Sequence, residues 1–248
     1  MATQIPSYLK NFSAGRVLLL DVTNANRPSR AMAVTAPAQE TATRYCGSRG
    51  NLFLLTRSAA RCALSMITGA PIASFDILST GDGAPKVVRK AKHGGPNVAT
   101  NFSISFSYAD NRALVGLSRE GRLGIDIERN HSGSRMRRRD FDAIRQYYFE
   151  RPVLGSDKQR SSSLLDIALP QMWVRHEALH KALGLGLEYP AADIDPVSEG
   201  IRVTDLLVGN GYVAALATDF VPKEIRIEPA IDILARGGLI ATPTVHST

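Results

Sequence analysis

Leu123-Gly124-Ile125-Asp126-Ile127-Glu128-Arg129 is the stretch on which the reading turns. Its core, Leu123 to Ile127, is apolar and β-branched, and side chains along a strand alternate between its two faces. Asp126 and Glu128 therefore share one face, while Ile125 and Ile127 point into a core. Two neighbouring carboxylates repel unless solvent or a cation neutralises them. The pair is either a solvated strand face or a site for a hard cation such as magnesium, which keeps several waters and shares a substrate phosphate.

Downstream lies Trp173-Val174-Arg175-His176-Glu177-Ala178-Leu179-His180-Lys181. Trp173, Ala178, Leu179, Ala182 and Leu183 predict a helix, and Glu177 and Lys181, four apart, share a face. By itself that spacing is also what an ordinary helical salt bridge needs, worth about 0.2–0.5 kcal/mol. Taken in order with the acidic strand, the helix makes the pair read as a divalent-metal and phosphate site.

Working outward, Arg16 to Val22 reads as a buried strand and the polar stretch from Thr23 to Gln39 as a loop. Asn51 to Thr68 predicts a helix, ended by Gly69-Ala70-Pro71, with Arg57 and Arg61 on a common face. Ile72 to Leu78 predicts a strand, Gly81 to Gly83 a turn, and Gly94 to Asn97 a turn leading into Asn101 to Ser107. Ala113 to Leu117 and Leu123 to Ile127 read as a hairpin around Arg119-Glu120-Gly121. Beyond Arg129 come a basic cluster (Arg135, Arg137, Arg138, Arg139), a helix through Phe141 and Tyr148, and a polar loop from Gly155 to Ser163. The Trp173 helix follows, ending near Gly184-Leu185-Gly186, then strands around Ile201 to Val203 and Tyr212 to Thr218. The tail from Thr242 reads as loose. Strand, helix, strands occurs twice, which predicts an α+β protein of two halves, 1–120 and 121–248.

At 248 residues, with 44% hydrophobic and 21% charged residues, the chain has the composition of a soluble globular protein. The net charge of +7 and a pI near 9.6 favour an anionic partner, without choosing among nucleic acid, acidic protein, membrane surface or polyphosphate. Cys46 and Cys62 show neither a disulfide framework nor a zinc pattern. The longest early apolar run, Val17 to Leu20, is too short to span a bilayer, and Met1 to Lys10 lacks the basic start and apolar core expected of a signal peptide. A cytoplasmic location is expected. Nucleic-acid binding lacks a recognition motif or aromatic platform.

These motifs resemble those of the 4'-phosphopantetheinyl transferases, in particular the two-lobed type that modifies carrier proteins of fatty-acid, polyketide and nonribosomal peptide synthesis. Gly124 to Glu128 is similar to that family's G-[IV]-D-[IV]-E motif and Trp173 to Lys181 to its W-x-x-K-E-A-x-x-K motif. Asn101 to Ser107 resembles an N-F-S-x-S-H-S element, Gly94-Gly95-Pro96 a G-K-P turn, Arg57 and Arg61 an R-x-x-x-R helix, and Gly211 to Ala217 the closing strand. The resemblance implies two similar α/β lobes related by a pseudo-twofold axis, and a monomer acting on coenzyme A and an acyl or peptidyl carrier protein. It implies that Asp126, Glu128 and Glu177 hold Mg²⁺, that Glu177, Lys181 and Asp126 act in catalysis, and that Arg57, Arg61, Ser105, His176 and Lys181 contact coenzyme A.

Three positions depart from that pattern. Phe106 replaces a histidine, His176 a lysine, and Gly95 a lysine. Each change removes or weakens a positive charge aimed at phosphate, where a hydrogen bond to a charged group is worth about 1.5–3 kcal/mol. A protonated His176 would compensate in part, and His93 is a second candidate. Phe106 and Trp173 read as packing. The altered positions leave open a relative that binds coenzyme A or carrier protein with little turnover.

Overall fold

The structure, a computed structural model, describes residues 5–23, 34–45, 47–79, 84–91, 95–130, 162–185, 199–209 and 211–239. It is a mixed α/β protein with three sheets among the described residues, compatible with the α+β class expected from the sequence. The chain divides into two compact units, one formed by residues up to Gly121 together with those from Pro222 onward, the other by Arg122–Val221.

In the first unit the central sheet is built from β1 (Arg16–Thr23), β5 (Ser103–Ala109), β6 (Arg112–Ser118) and β10 (Glu224–Pro229), in the order β10-β1-β6-β5. A second sheet joins β2 (Phe75–Ser79), β3 (Pro85–Arg89) and β4 (Val98–Ala99). One face of the central sheet presents Leu18, Leu20, Val22, Ile104, Val115 and Leu117, and these form a single core with Leu55, Ala59, Ala63 and Leu64 of helix α3 (Ser48–Thr68). The alanines on α3 leave room for close approach, and each fully buried leucine contributes roughly 1.5–3 kcal/mol. Gly69, in the left-handed conformation at φ 71°, ends α3 as expected. Across the sheet, the buried Arg112 donates from Nε and Nη2 to the Asp21 carboxylate at 2.8 and 2.5 Å, a two-point ion pair.

Four expectations change here. Ala113–Leu117 and Leu123–Ile127 are strands but not a hairpin: β6 pairs with β1 and β5, whereas β7 (Leu123–Arg129) pairs with β9 (Tyr212–Thr218). The hairpin partner of β6 is β5, closed at Asp110-Asn111, where Asp110 takes φ 49°, a conformation that aspartate tolerates. Residues 36–39, read as the end of a loop, open a short helix, α2 (Ala36–Thr43), with proline in its first turn, where the missing N–H carries no penalty. The run from Ile72 opens as a 3₁₀ turn, Ile72–Ser74, before β2 begins. Finally, the second unit ends at Val221 rather than continuing to 248, because β10 runs parallel to β1, pairing Val17 with Ile225 and Leu19 with Ile227. Helix α5 (Ala230–Arg236) then buries Ile233 and Leu234 in the first unit's core.

The second unit is a three-stranded antiparallel sheet, β7-β9-β8, with β8 spanning Arg202–Leu206, covered by helix α4 (Ser162–Leu183). α4 includes Ser162 and Ser163, which the sequence placed in a loop, and Gly184 at φ 71° ends it where expected. Val174, Ala178, Leu179 and Ala182 of α4 pack against Ala215 and Ala217 of β9 and Ile201. Among the described residues no helix is long and apolar enough to cross a membrane. The Gly81–Gly83 turn, Gly94, the arginine cluster, the Phe141–Tyr148 helix, the stretch from Gly155 to residue 161, Gly186 and the tail from Thr242 lie outside the described residues.

Candidate functional site

Alternation along β7 places Gly124, Asp126 and Glu128 on one face, and that face is turned toward α4. A Cβ at Gly124 would sit on the Ala178 carbonyl oxygen and the Ala182 amide nitrogen. Glycine is therefore required by the contact between backbone and helix, and the neighbouring Ala215 and Ala217 widen the same channel. Ile125 and Ile127, on the other face, are fully buried as expected. The acidic face is not solvated: Asp126 is 4% exposed and Glu177 6%. Burial of this kind requires a counter-charge.

Lys181 supplies it. Its ammonium donates to Asp126 Oδ1 at 2.5 Å and to the Ile125 carbonyl at 3.2 Å, and its side chain remains 29% exposed. The contact joins the acidic strand motif to the helix motif across 55 positions of chain. Glu177 lies one turn earlier on α4, the same side of the helix as Lys181, and Glu128 is half-buried further along β7. Donor type suits magnesium, since all three carboxylates are hard oxygen ligands. Among the described residues no three His, Cys, Asp or Glu side chains converge into a metal-holding group, so in this arrangement the cation seated on Asp126 is the protein's own.

His176 is 5% exposed, and its ring centroid lies 4.0 Å from that of the buried His180. Burial, reinforced by His180, pushes its pKa down to about 4. His176 is therefore neutral near pH 7 and does not replace the lysine charge, which corrects the expectation of a compensating imidazolium. Trp173, half-buried, lies 6.2 Å from the His176 ring.

The remaining expected residues belong to the first unit. Arg61 is spent on the fold: its Nε donates to the Phe75 carbonyl at 2.8 Å and its Nη2 to that of Ile72 at 3.0 Å, tying α3 to the start of β2. Arg57, one turn earlier, lies with its guanidinium carbon 3.9 Å from the Phe106 ring centroid and 4.9 Å from that of Phe53. Its Nε and Nη1 are buried without a hydrogen-bond partner among the described residues, and burial lowers its pKa from the usual arginine value. Phe106 thus serves as a cation–π platform for Arg57. Ser105, on the opposite face of β5 from Phe106, is buried at 4%. Gly95 is exposed, and His93 lies outside the described residues.

No family model matches the chain, and no curated protein matches it. The sequence reading missed the Lys181–Asp126 pair, the Phe53–Arg57–Phe106 stack and the His176–His180 contact. The histidines and the Phe53–Arg57 half of the stack had a direct signal, their four-residue spacing on one helix; the Lys181–Asp126 pair and the Phe106 contact depend on which strand faces the helix.

Proposed function

We propose that the chain transfers the 4'-phosphopantetheine arm of coenzyme A to a serine of an acyl or peptidyl carrier protein. One observation carries the reading: the two motifs that resemble those of the transferases lie against each other in one unit, with Gly124 making room for α4 and Lys181 reaching Asp126. In this reading the protein has the family's two similar lobes related by a pseudo-twofold axis, works as a cytoplasmic monomer, and uses its basic charge toward coenzyme A and an acidic carrier.

Asp126, Glu128 and Glu177 would hold magnesium, which neutralises pyrophosphate charge when bound. Glu177 accepts the serine proton, directly or through water, as the hydroxyl oxygen bonds to the β-phosphorus. The bond from that phosphorus to the bridging oxygen breaks, and 3',5'-ADP leaves with the electron pair. Positioning and charge neutralisation dominate such a loose transition state. Lys181, whose side chain is 29% exposed, would turn toward a phosphate oxygen. Arg57 would reach a nucleotide phosphate.

The test is intact-mass analysis of several apo carrier proteins incubated with the chain, coenzyme A and Mg²⁺. Addition of the phosphopantetheine mass to one serine is expected; no addition to any carrier would contradict the proposal. A second reading, a binder with little turnover, is favoured by the Arg57–Phe106 stack and the neutral His176. It predicts coenzyme A binding without transfer, and Phe106→His restoring transfer would assign the deficit to that platform.

A further inference from the structure

Phe102, Phe106 and Tyr108 share one face of β5 and its entrance, the face packed toward α3. Each carries a guanidinium over its ring: Arg119 lies 4.9 Å from the Phe102 centroid, Arg57 3.9 Å from Phe106 and Arg49 4.7 Å from Tyr108. Other arginines are held by acids, as Arg112 by Asp21, Arg175 by Asp205 and Arg226 by Glu228. Among the described residues no carboxylate forms an ion pair with Arg49, Arg57 or Arg119. A carboxylate neutralises the arginine it holds, whereas a ring holds it by its quadrupole and leaves the positive charge in place. Arg57 is gripped from two sides. Phe53, one turn before it on α3, lies 4.9 Å from its guanidinium and packs on Tyr45 at 5.4 Å. Asp76, whose charge acts on Arg57, is turned to Thr35, the Ile77 amide and Lys90. Arg57 is therefore a cation fixed in place and not paired with an acid among the described residues.

We infer that Phe53 and Phe106 are positioning residues: they hold the Arg57 guanidinium for a phosphate of coenzyme A, so that Phe106 returns through α3 the charge that a histidine in its place would supply. The inference rests on coenzyme A binding, which both readings above share, and not on turnover. A cation already fixed loses little freedom when the ligand arrives, whereas immobilising a mobile side chain costs about two- to tenfold in affinity.

The experiment titrates coenzyme A calorimetrically into the full chain and its variants, each accompanied by a melting curve. Phe106→Leu, which stays apolar but removes the ring, is expected to weaken binding about three- to tenfold. Phe106→Tyr, which keeps the ring, should remain within about twofold of wild type. Arg57→Met should weaken binding about tenfold or more, and in that background Phe106→Leu should cost nothing further. Phe106→Leu without effect, an equal loss with and without Arg57, or a folded Phe106→Tyr that binds no better than Phe106→Leu would each overturn the inference and leave the transfer reading standing. Because a leucine variant can fail to fold, the Arg57 Nε–H resonance is also recorded in the wild-type chain. Slow exchange with solvent and a ring-current shift are expected; a rapidly exchanging, unshifted resonance would overturn the inference. A wild-type chain that does not bind coenzyme A removes it together with both readings above. Ring-dependent binding without transfer to any carrier refutes the transfer reading alone.

Discussion

α3 and α4 present the same surface grammar, a helix lying on a sheet with two charged side chains four residues apart, yet they use it in opposite ways. On α3 both cations are held locally: Arg61 by two carbonyls and Arg57 by aromatic rings. On α4 the cation crosses to the strand and meets a buried carboxylate. The i,i+4 spacing is common to both. What differs is the facing strand, which offers aromatic and apolar side chains to α3 but Gly124 and Asp126 to α4.

The largest way to break that contrast is Gly124→Ala. The new methyl would collide with the α4 backbone, which cannot yield as a side chain can, so destabilisation at or above the upper end of the roughly 1–3 kcal/mol seen for overpacking is expected. Denaturant unfolding would measure it. An unchanged midpoint would mean that α4 does not press on β7.

Next comes Lys181→Ala, which strands the Asp126 carboxylate. Breaking a buried pair costs about 3–5 kcal/mol; partial exposure of Lys181 reduces the expectation to about 2–4 kcal/mol. Asp126→Asn should cost less, because Lys181 can swing toward solvent. Equal losses for the two would contradict this asymmetry.

Arg61→Ala removes two charge-assisted bonds, each worth about 1.5–3 kcal/mol. A fall in melting temperature is expected, with coenzyme A affinity of the folded protein preserved. Selective loss of affinity would return Arg61 to the binding residues. The smallest effect is expected for Arg175→Ala on the outer side of α4. Its pair with Asp205 is nearly half exposed, and exposed pairs contribute about 0–1 kcal/mol.

Local pattern was enough for β1, α3, β7, β9 and the Trp173 end of α4, because each has a sustained apolar period. Pairing was not, since β6 and β7 are neighbours in sequence but belong to different sheets. β10 escaped for a similar reason: Glu224, Arg226 and Glu228 mask its strand character, and its partner is β1, some two hundred residues away. At the candidate site, the shared face of Asp126 and Glu128 was legible from alternation. That this face is covered by α4 was not, because periodicity tells which residues share a face and not what covers it. Arg61 shows the same limit: its spacing matched a phosphate helix, while its partners are the Ile72 and Phe75 carbonyls.

The most direct measurement is calorimetric titration of coenzyme A into the wild-type chain and Asp126→Asn, each with and without Mg²⁺, alongside a melting curve showing both folded. The β7–α4 face, read as a magnesium and phosphate site, predicts binding that Mg²⁺ strengthens about tenfold or more in the wild type and leaves unchanged in the variant. Coenzyme A binding indifferent to Mg²⁺, or equally strengthened by it in both proteins, would contradict that reading.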